Sequence, residues 1–457
     1  MKKLLTALIT ISMFVSCNQE PTKDYAVVTG KILNMSDAKL KINSLRDPFS
    51  KTITLSEDGS FIDTLKVSED NYMIYDGKNV SYVYLEAGDN VNFTYDVNDY
   101  GNTVKFTGIG AEVNTYLVQK AAKEKEIKGE GNVYELNEAE FKATQKGIEA
   151  ACSELISNTK NLPKSFVEKE KRNIRYAYLN KLELYESYHA YYAKEPEFKV
   201  SEGFLDELKS LVFDSEEDYG YSINYRNLIS SHFNNEAKKV SEAESIDQDV
   251  ALLRALKTLQ NDSIRNAMLY KNAAFNISFS NDVEAFYNAF ITASTNEVHN
   301  KDITEKYTVL KKVAKGQPSP KFVDYENAEG GTMSLDDLKG KYTYIDVWAT
   351  WCGPCKAEIP HLKKIEEAYH SKNIQFVSIS VDKAKDHDKW KQMIADENLG
   401  GIQLLAENAF ESQFVKDYMI LGIPRFILLD PNGQIIASNA PRPSNQELIE
   451  LFNELNI

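Results

Sequence analysis

Cysteine is scarce in this chain: 457 residues carry four, at positions 17, 152, 352 and 355. So few thiols exclude a disulfide framework as the source of stability, even for an exported protein. Basic residues are outnumbered, 53 Lys and Arg against 68 Asp and Glu, for a formal charge of −15. That balance excludes a nucleic-acid partner and a polybasic membrane patch. Long apolar runs are missing as well. The one candidate, residues 4–15, is shorter than the roughly 20 residues a membrane-spanning helix needs. Zinc binding, the competing reading of a cysteine pair, is weakened by the same scarcity, since zinc wants four ligands and no second cysteine pair or adjacent histidine accompanies 352 and 355. The length itself predicts about two to four domains.

What is present begins with a positive start, Met1-Lys2-Lys3, ahead of the short apolar run and Ser16-Cys17. That order describes a secretory signal. Phe14-Val15-Ser16-Cys17 resembles a bacterial lipobox, with Phe where Leu is usual. The resemblance implies that residues 1–17 hold the signal and the lipidated Cys17, with 18–24 a polar tether. The protein is then expected in the cell envelope, on the periplasmic side, anchored by lipid.

Three textures follow. Residues 25–110 alternate short β-rich runs (26–33, 51–55, 60–65, 72–75, 82–85, 91–95) with turn signals such as Glu57-Asp58-Gly59 and Ala87-Gly88-Asp89-Asn90. The spacing predicts a small antiparallel β-sandwich. Residues 111–312 are charged, poor in Gly and Pro, and apolar at helical spacing, which predicts an α-helical middle region. Within it Tyr176, Tyr178, Tyr185, Tyr188, Tyr191 and Tyr192 form a patch. It reads either as a groove for a peptide or sugar or as a packed helix face with hydroxyls at solvent, and stripes of this kind usually pack. Cys152 reads as a buried small apolar residue, with an intermolecular or regulatory role as the alternative. Lys315-Gly316-Gln317-Pro318-Ser319-Pro320 opens a last domain, 313–457, in which strand and helix alternate as an α/β sheet requires.

The chemistry concentrates in Trp351-Cys352-Gly353-Pro354-Cys355. The apolar run 342–349 predicts a buried strand, and Ile359, Leu362, Ile365 and Ala368 predict a helix after the turn. Pro354 suits the first turn of that helix, where a missing N–H costs nothing. Cys352 is thereby placed at a helix N-terminus, which favours a thiolate.

Residues 346–355 resemble the active-site segment of thioredoxins. The stretches 316–322, 334–341 and Cys355-Lys356-Ala357-Glu358-Ile359-Pro360 resemble the TlpA/ResA type of thiol-disulfide oxidoreductase lipoprotein within that superfamily. The β-rich start is similar to the domain that precedes such modules in Bacteroidetes lipoproteins. The resemblance implies a multi-domain protein ending in a thioredoxin-like fold, and a protein disulfide reductase with no cofactor beyond a Cys352–Cys355 pair. Cys352, taken as the more exposed thiol, attacks a substrate disulfide, and Cys355 resolves the mixed disulfide. Asp346 or Glu358 relays the proton, the choice between them being open. Trp351, Gly353, Pro354, Ile423 and Pro424 are expected to contact substrate, with Pro424 in the cis form and the backbone of Ile423 pairing with an extended segment. The implied partners are disulfide-bearing exported proteins, apocytochrome c among them, and a membrane-bound thiol electron donor. A thiol peroxidase of the same fold is the enzymatic alternative, weakened because no proline precedes the nucleophile. An envelope scaffolding lipoprotein with an accessory redox domain is the non-enzymatic one.

Overall fold

The computed structural model describes residues 23–37, 39–44, 49–67 and 70–457. The expected signal, Cys17 and most of the tether lie outside the described residues. The chain forms two compact units, with the division between Ile229 and Ser230. That division falls inside the expected helical region 111–312, whose helices are shared between the two. Helical texture runs on either side of the boundary without a break in composition, so the sequence offered no mark there.

In the first unit, one sheet has the order β4 (Ser60–Lys66), β1 (Tyr25–Leu33), β7 (Asn90–Asp96), β8 (Lys105–Ile109). The other has the order β3 (Ser50–Thr54), β2 (Lys39–Ser44), β5 (Asp70–Tyr75), β6 (Val80–Leu85). Alternation along β1 and β7 sends Ala26, Val28, Val91, Phe93 and Tyr95 into a cluster that also takes Leu40, Ile42, Ile74 and Val83 from the second sheet. The pairing is not wholly antiparallel as expected, because β1 and β7 run parallel. Strands β2 and β8 had no sequence expectation. Lys39-Leu40-Lys41-Ile42 is short and lysine-bearing, and β8 is largely exposed at a sheet edge, so neither shows a strong apolar signal.

Helices Ala111–Lys128, Glu138–Asn158 and Lys164–Tyr192 complete this unit. Asn114 ties the first of them to β6, accepting from the Tyr84 N–H at 2.8 Å and donating to the Tyr84 carbonyl at 2.9 Å. Tyr178 and Tyr185 of the aromatic patch are core residues, and their hydroxyls donate to Glu207 and to the Leu136 carbonyl, not to solvent. Tyr188, Tyr191 and Tyr192 stay exposed. Cys152 is buried, as expected of a small apolar residue, and burial pushes its thiol up to about 11.

The second unit holds helices Gln248–Leu256, Asp262–Asn276, Val283–Ala293 and Glu297–Leu310. Three of them open on side-chain caps: Asn261, Asp282 and Asn296 each accept a first-turn N–H. They precede a seven-stranded mixed sheet in the order β10 (Thr332–Met333), β9 (Tyr325–Asn327), β13 (Ile402–Leu405), β12 (Ile374–Ser380), β11 (Tyr342–Trp348), β14 (Arg425–Leu429), β15 (Ile435–Ala437). The central strands β11, β12 and β14 are buried almost throughout, which is why they read as continuous apolar runs. Helices Gly353–Tyr369 and Gln446–Glu454 cover the sheet through Leu362, Leu448 and Phe452, packed on Tyr344, Phe376 and Phe426. No helix of the described residues is long and apolar enough to cross a membrane.

Candidate active site

Strand β11 ends at Trp348 and the helix starts at Gly353, so a turn of four residues delivers Cys352 to the helix N-cap. The turn is held from the neighbouring strand. Asp382, just past β12, accepts from the Thr350 N–H and the Thr350 hydroxyl, both at 2.9 Å, and from Ser380 at 2.8 Å. The Val381 N–H donates to the Trp348 carbonyl at 2.8 Å. Asp382 carried no sequence expectation. The only local signal was an acid directly after a buried strand.

Cys352 and Cys355 are joined as a disulfide with a Cα–Cα distance of 5.3 Å. The Cys352 sulfur accepts from the Cys355 N–H at 3.1 Å, so a helix-terminal donor already points at the atom that carries charge after reduction. Pro354 lies in the first helical turn, as its missing N–H allows. The helix runs on through Pro360 to Tyr369. The expectation of unequal exposure is corrected: both cysteines are 4% exposed. Gly353 and Pro354 are exposed, as is Trp351, at 54%, its ring 6.3 Å from that of Phe410.

Two buried carboxyls face each other here, Asp346 on the strand and Glu358 on the helix, with different hydrogen-bond partners. Asp346 sits on β11, paired in register with Ser378 and Phe426 and buried. One of its oxygens, Oδ1, has no hydrogen-bond partner. Loss of solvation, reinforced by Glu358 and Glu366, pushes its carboxyl up to about 8. Glu358 is also buried. Both of its oxygens are engaged by Ser444, through the N–H at 3.0 Å and the hydroxyl at 2.9 Å, with Arg442 at 3.9 Å. Glu366, one helical face further along, is pushed up to about 7 by burial. It lines a narrow crevice with Asp346, Ser378, Gly400 and Gln403. Neither Glu366 nor Ser444 was marked in the sequence, because each acts only through a neighbour distant in the chain.

The Ile423–Pro424 bond is cis. Strand β14 runs antiparallel to β11 with Val347 opposite Arg425. The Ile423-Pro424 loop therefore lies at the end of the sheet from which Trp351 and Cys352 depart. The structure thus brings Cys352, Cys355, Asp346 and Glu358 together around one helix and sets Ile423 and Pro424 at the same sheet end. Among the described residues no group of three or more His, Cys, Asp and Glu is placed to hold a metal ion.

The Redoxin family model matches residues 314–451. This C-terminal region belongs to the thioredoxin superfamily. Relatives of the thioredoxin-like domain include the thiol-disulfide oxidoreductase ResA of Bacillus thuringiensis subsp. konkukian, 24% identical over 157 residues, or 33% of this chain and 83% of that protein. ResA of Bacillus subtilis is 27% identical over 126 residues, covering 27% of this chain and 66% of its own. Among solved structures, a thiol-disulfide oxidoreductase chain of Bacteroides vulgatus is 51% identical, over 32% of this chain and 92% of that one, with a TM-score of 0.28. The C-terminal domain of one from Bacteroides thetaiotaomicron is 30% identical, over 32% and 99%, with a TM-score of 0.28. The family match and the names of the ResA relatives support a thioredoxin-like domain of the thiol-disulfide oxidoreductase kind, and each of these relatives covers about a third of this chain or less.

Proposed function

We propose that this protein reduces disulfides of exported proteins through a mixed disulfide formed at Cys352. The observation that carries the reading is a cysteine pair at a helix N-terminus above a buried carboxyl with an unpartnered oxygen. Cys352 thiolate attacks one sulfur of a client disulfide and releases the other client sulfur as thiolate, which takes a proton from solvent. Cys355 then loses its proton to Asp346 in the fraction of molecules where that carboxyl is ionised, and attacks the Cys352 sulfur. The second client sulfur leaves, and the Cys352–Cys355 disulfide forms. Two electrons have passed to the client, and a membrane-bound dithiol donor restores the pair.

Asp346 is the better base of the two carboxyls. A thiol near pKa 8.5 exchanges its proton most readily with a group of similar pKa, and Asp346 alone has a free oxygen to receive it. Glu358, tied to Ser444, acts as a fixed neighbour that keeps Asp346 high. Trp351, Gly353 and Pro354 form the rim that a client segment meets, and the backbone of Ile423 offers it an edge to pair with. Attachment through Cys17 in the cell envelope supplies the oxidised clients, apocytochrome c being one class, and proximity to the donor.

Dithiol-driven reduction of insulin, run beside peroxide consumption on wild type and Cys352→Ser, is the direct test. Insulin reduction is expected, with loss of at least about a thousandfold in the variant, as for removal of a catalytic nucleophile. A Cys355→Ser variant is expected to retain clients as mixed disulfides on Cys352. Equal insulin rates for wild type and Cys352→Ser would defeat the reading. Peroxide turnover faster than insulin reduction would transfer it to the peroxidase alternative. The mass of the mature N-terminal peptide, with or without lipid on Cys17, tests the anchor.

A further inference from the structure

The loop that opens β14 is not free on its outer side. Phe275 closes the helix Asp262–Asn276, and the short turn Ile277–Phe279 follows it. Arg425, the residue after Pro424 and only 2% exposed, donates from Nη2 to the Ser278 carbonyl and stacks its guanidinium 4.5 Å from the centre of the Phe279 ring. Asn439 donates to the Phe279 carbonyl at 2.6 Å. The approach is close enough that any side chain at Gly422 would push the Phe275 ring aside. A Cβ there would stand 2.8 Å from Phe275 and 3.5 Å from Phe279. Phe275 nonetheless remains 47% exposed, and Leu421 beside Gly422 is 42% exposed.

We propose that Phe275 is a client-specificity residue: the helical segment of the second unit extends the substrate face with an apolar contact for an extended, disulfide-bearing polypeptide. The inference rests on the reductase reading. Both sulfurs are nearly buried, so a client cystine reaches Cys352 only when the chain on either side of it lies along the rim. On one side that rim is Trp351. On the other it is the loop Leu421–Pro424, which Arg425 and Gly422 join to Phe275. Apolar residues flanking the client cystine therefore gain contact with Phe275 and Leu421, while a small disulfide ends before it reaches them. Arg425 acts through the turn and is a positioning residue. A lysine there keeps the charge but loses the planar stack.

The test compares insulin with glutathione disulfide as substrates of the full-length protein. For Phe275→Ala, the ratio of kcat/KM for insulin to that for glutathione disulfide is expected to fall about fivefold, carried by KM for insulin. Arg425→Met is expected to lower the same ratio and to speed amide hydrogen exchange across 275–279, the second readout guarding against a simple fold defect. An unchanged ratio in Phe275→Ala, whether both rates hold or fall together, overturns the inference and leaves the reductase reading standing. A wild type that reduces neither disulfide overturns that reading, and this inference with it.

Discussion

Each unit buries a carboxylate, and the two are treated in opposite ways. Glu170 in the first unit is 1% exposed. Its oxygens are met by Lys120 at 2.6 Å, Asn173 and Tyr221 at 2.9 Å, and Tyr116 at 3.3 Å. Asp346 in the second unit is buried beside two further acids and keeps an oxygen without a partner. The first arrangement is structural, since every lone pair that burial strips of water is satisfied by protein. The second holds a proton near neutral pH because nothing nearby stabilises the anion. Burial of a charge alone does not mark a chemical site. Unmet hydrogen-bonding capacity beside a nucleophile does.

Removing a partner breaks the comparison from the structural side. Lys120→Met leaves Glu170 buried without its cation, and about 3–5 kcal/mol of stability is expected to be lost in denaturant unfolding of the first unit. Insulin reduction by the folded fraction should keep its pH profile. A change in that profile would show that Glu170 and the dithiol are coupled.

Asp346→Asn acts from the other side. The resolving step is expected to slow by about a hundredfold, the lower range for removal of a general base, measured by single-turnover release of client from the mixed disulfide. Stability should move the opposite way. The folded carboxyl, near 8, lies above the ordinary value of 3.8. Between about pH 4 and pH 8 the native state therefore binds a proton that the unfolded state lacks, and stability falls as pH rises through that window. Asn removes the titration, so a few kcal/mol of destabilisation at pH 8 should disappear in the variant, with little change at pH 4. An unaltered pH slope would place the ionisation elsewhere.

The smallest effect is expected for Glu358→Gln. Gln keeps an acceptor for Ser444 but removes the stronger of the two like charges acting on Asp346. The apparent pKa of the resolving step should move toward acid by up to about one unit with kcat at the plateau preserved. A shift toward base would mean that Glu358 itself accepts the proton.

Much of the catalytic half was legible in the chain. Strands β11, β12 and β14, buried on both faces, leave apolar runs that no helix period imitates, and Trp351–Cys355 sits between a strand and a helix where the chemistry needs it. Pro424 was legible from resemblance. Strands β9 and β10 were not, because three and two residues are too short to show a period. Cys352 was expected to be the more exposed thiol. It lies in a turn that Asp382 pins through Thr350, 32 residues away in sequence. The patch at 176–192 was read as one face, and the structure divides it into core tyrosines and exposed ones. Helical spacing places residues on a stripe but does not say how far along the stripe a neighbour extends.

Composition and spacing by themselves determined the class of chemistry: two thiols, a strand before them, a helix after them and no other redox or metal-binding set. Local patterns of that kind depend only on residues close in the chain. Tertiary structure alone told the two carboxyls apart, because Ser444, 86 residues from Glu358, reaches Glu358 and leaves Asp346 with an unpartnered oxygen. It also decided that the helices after 230 belong with the dithiol, through Arg425 meeting Ser278 across 147 residues. Desolvation and hydrogen-bond satisfaction are properties of a packed neighbourhood, and no stretch of sequence contains its own neighbours.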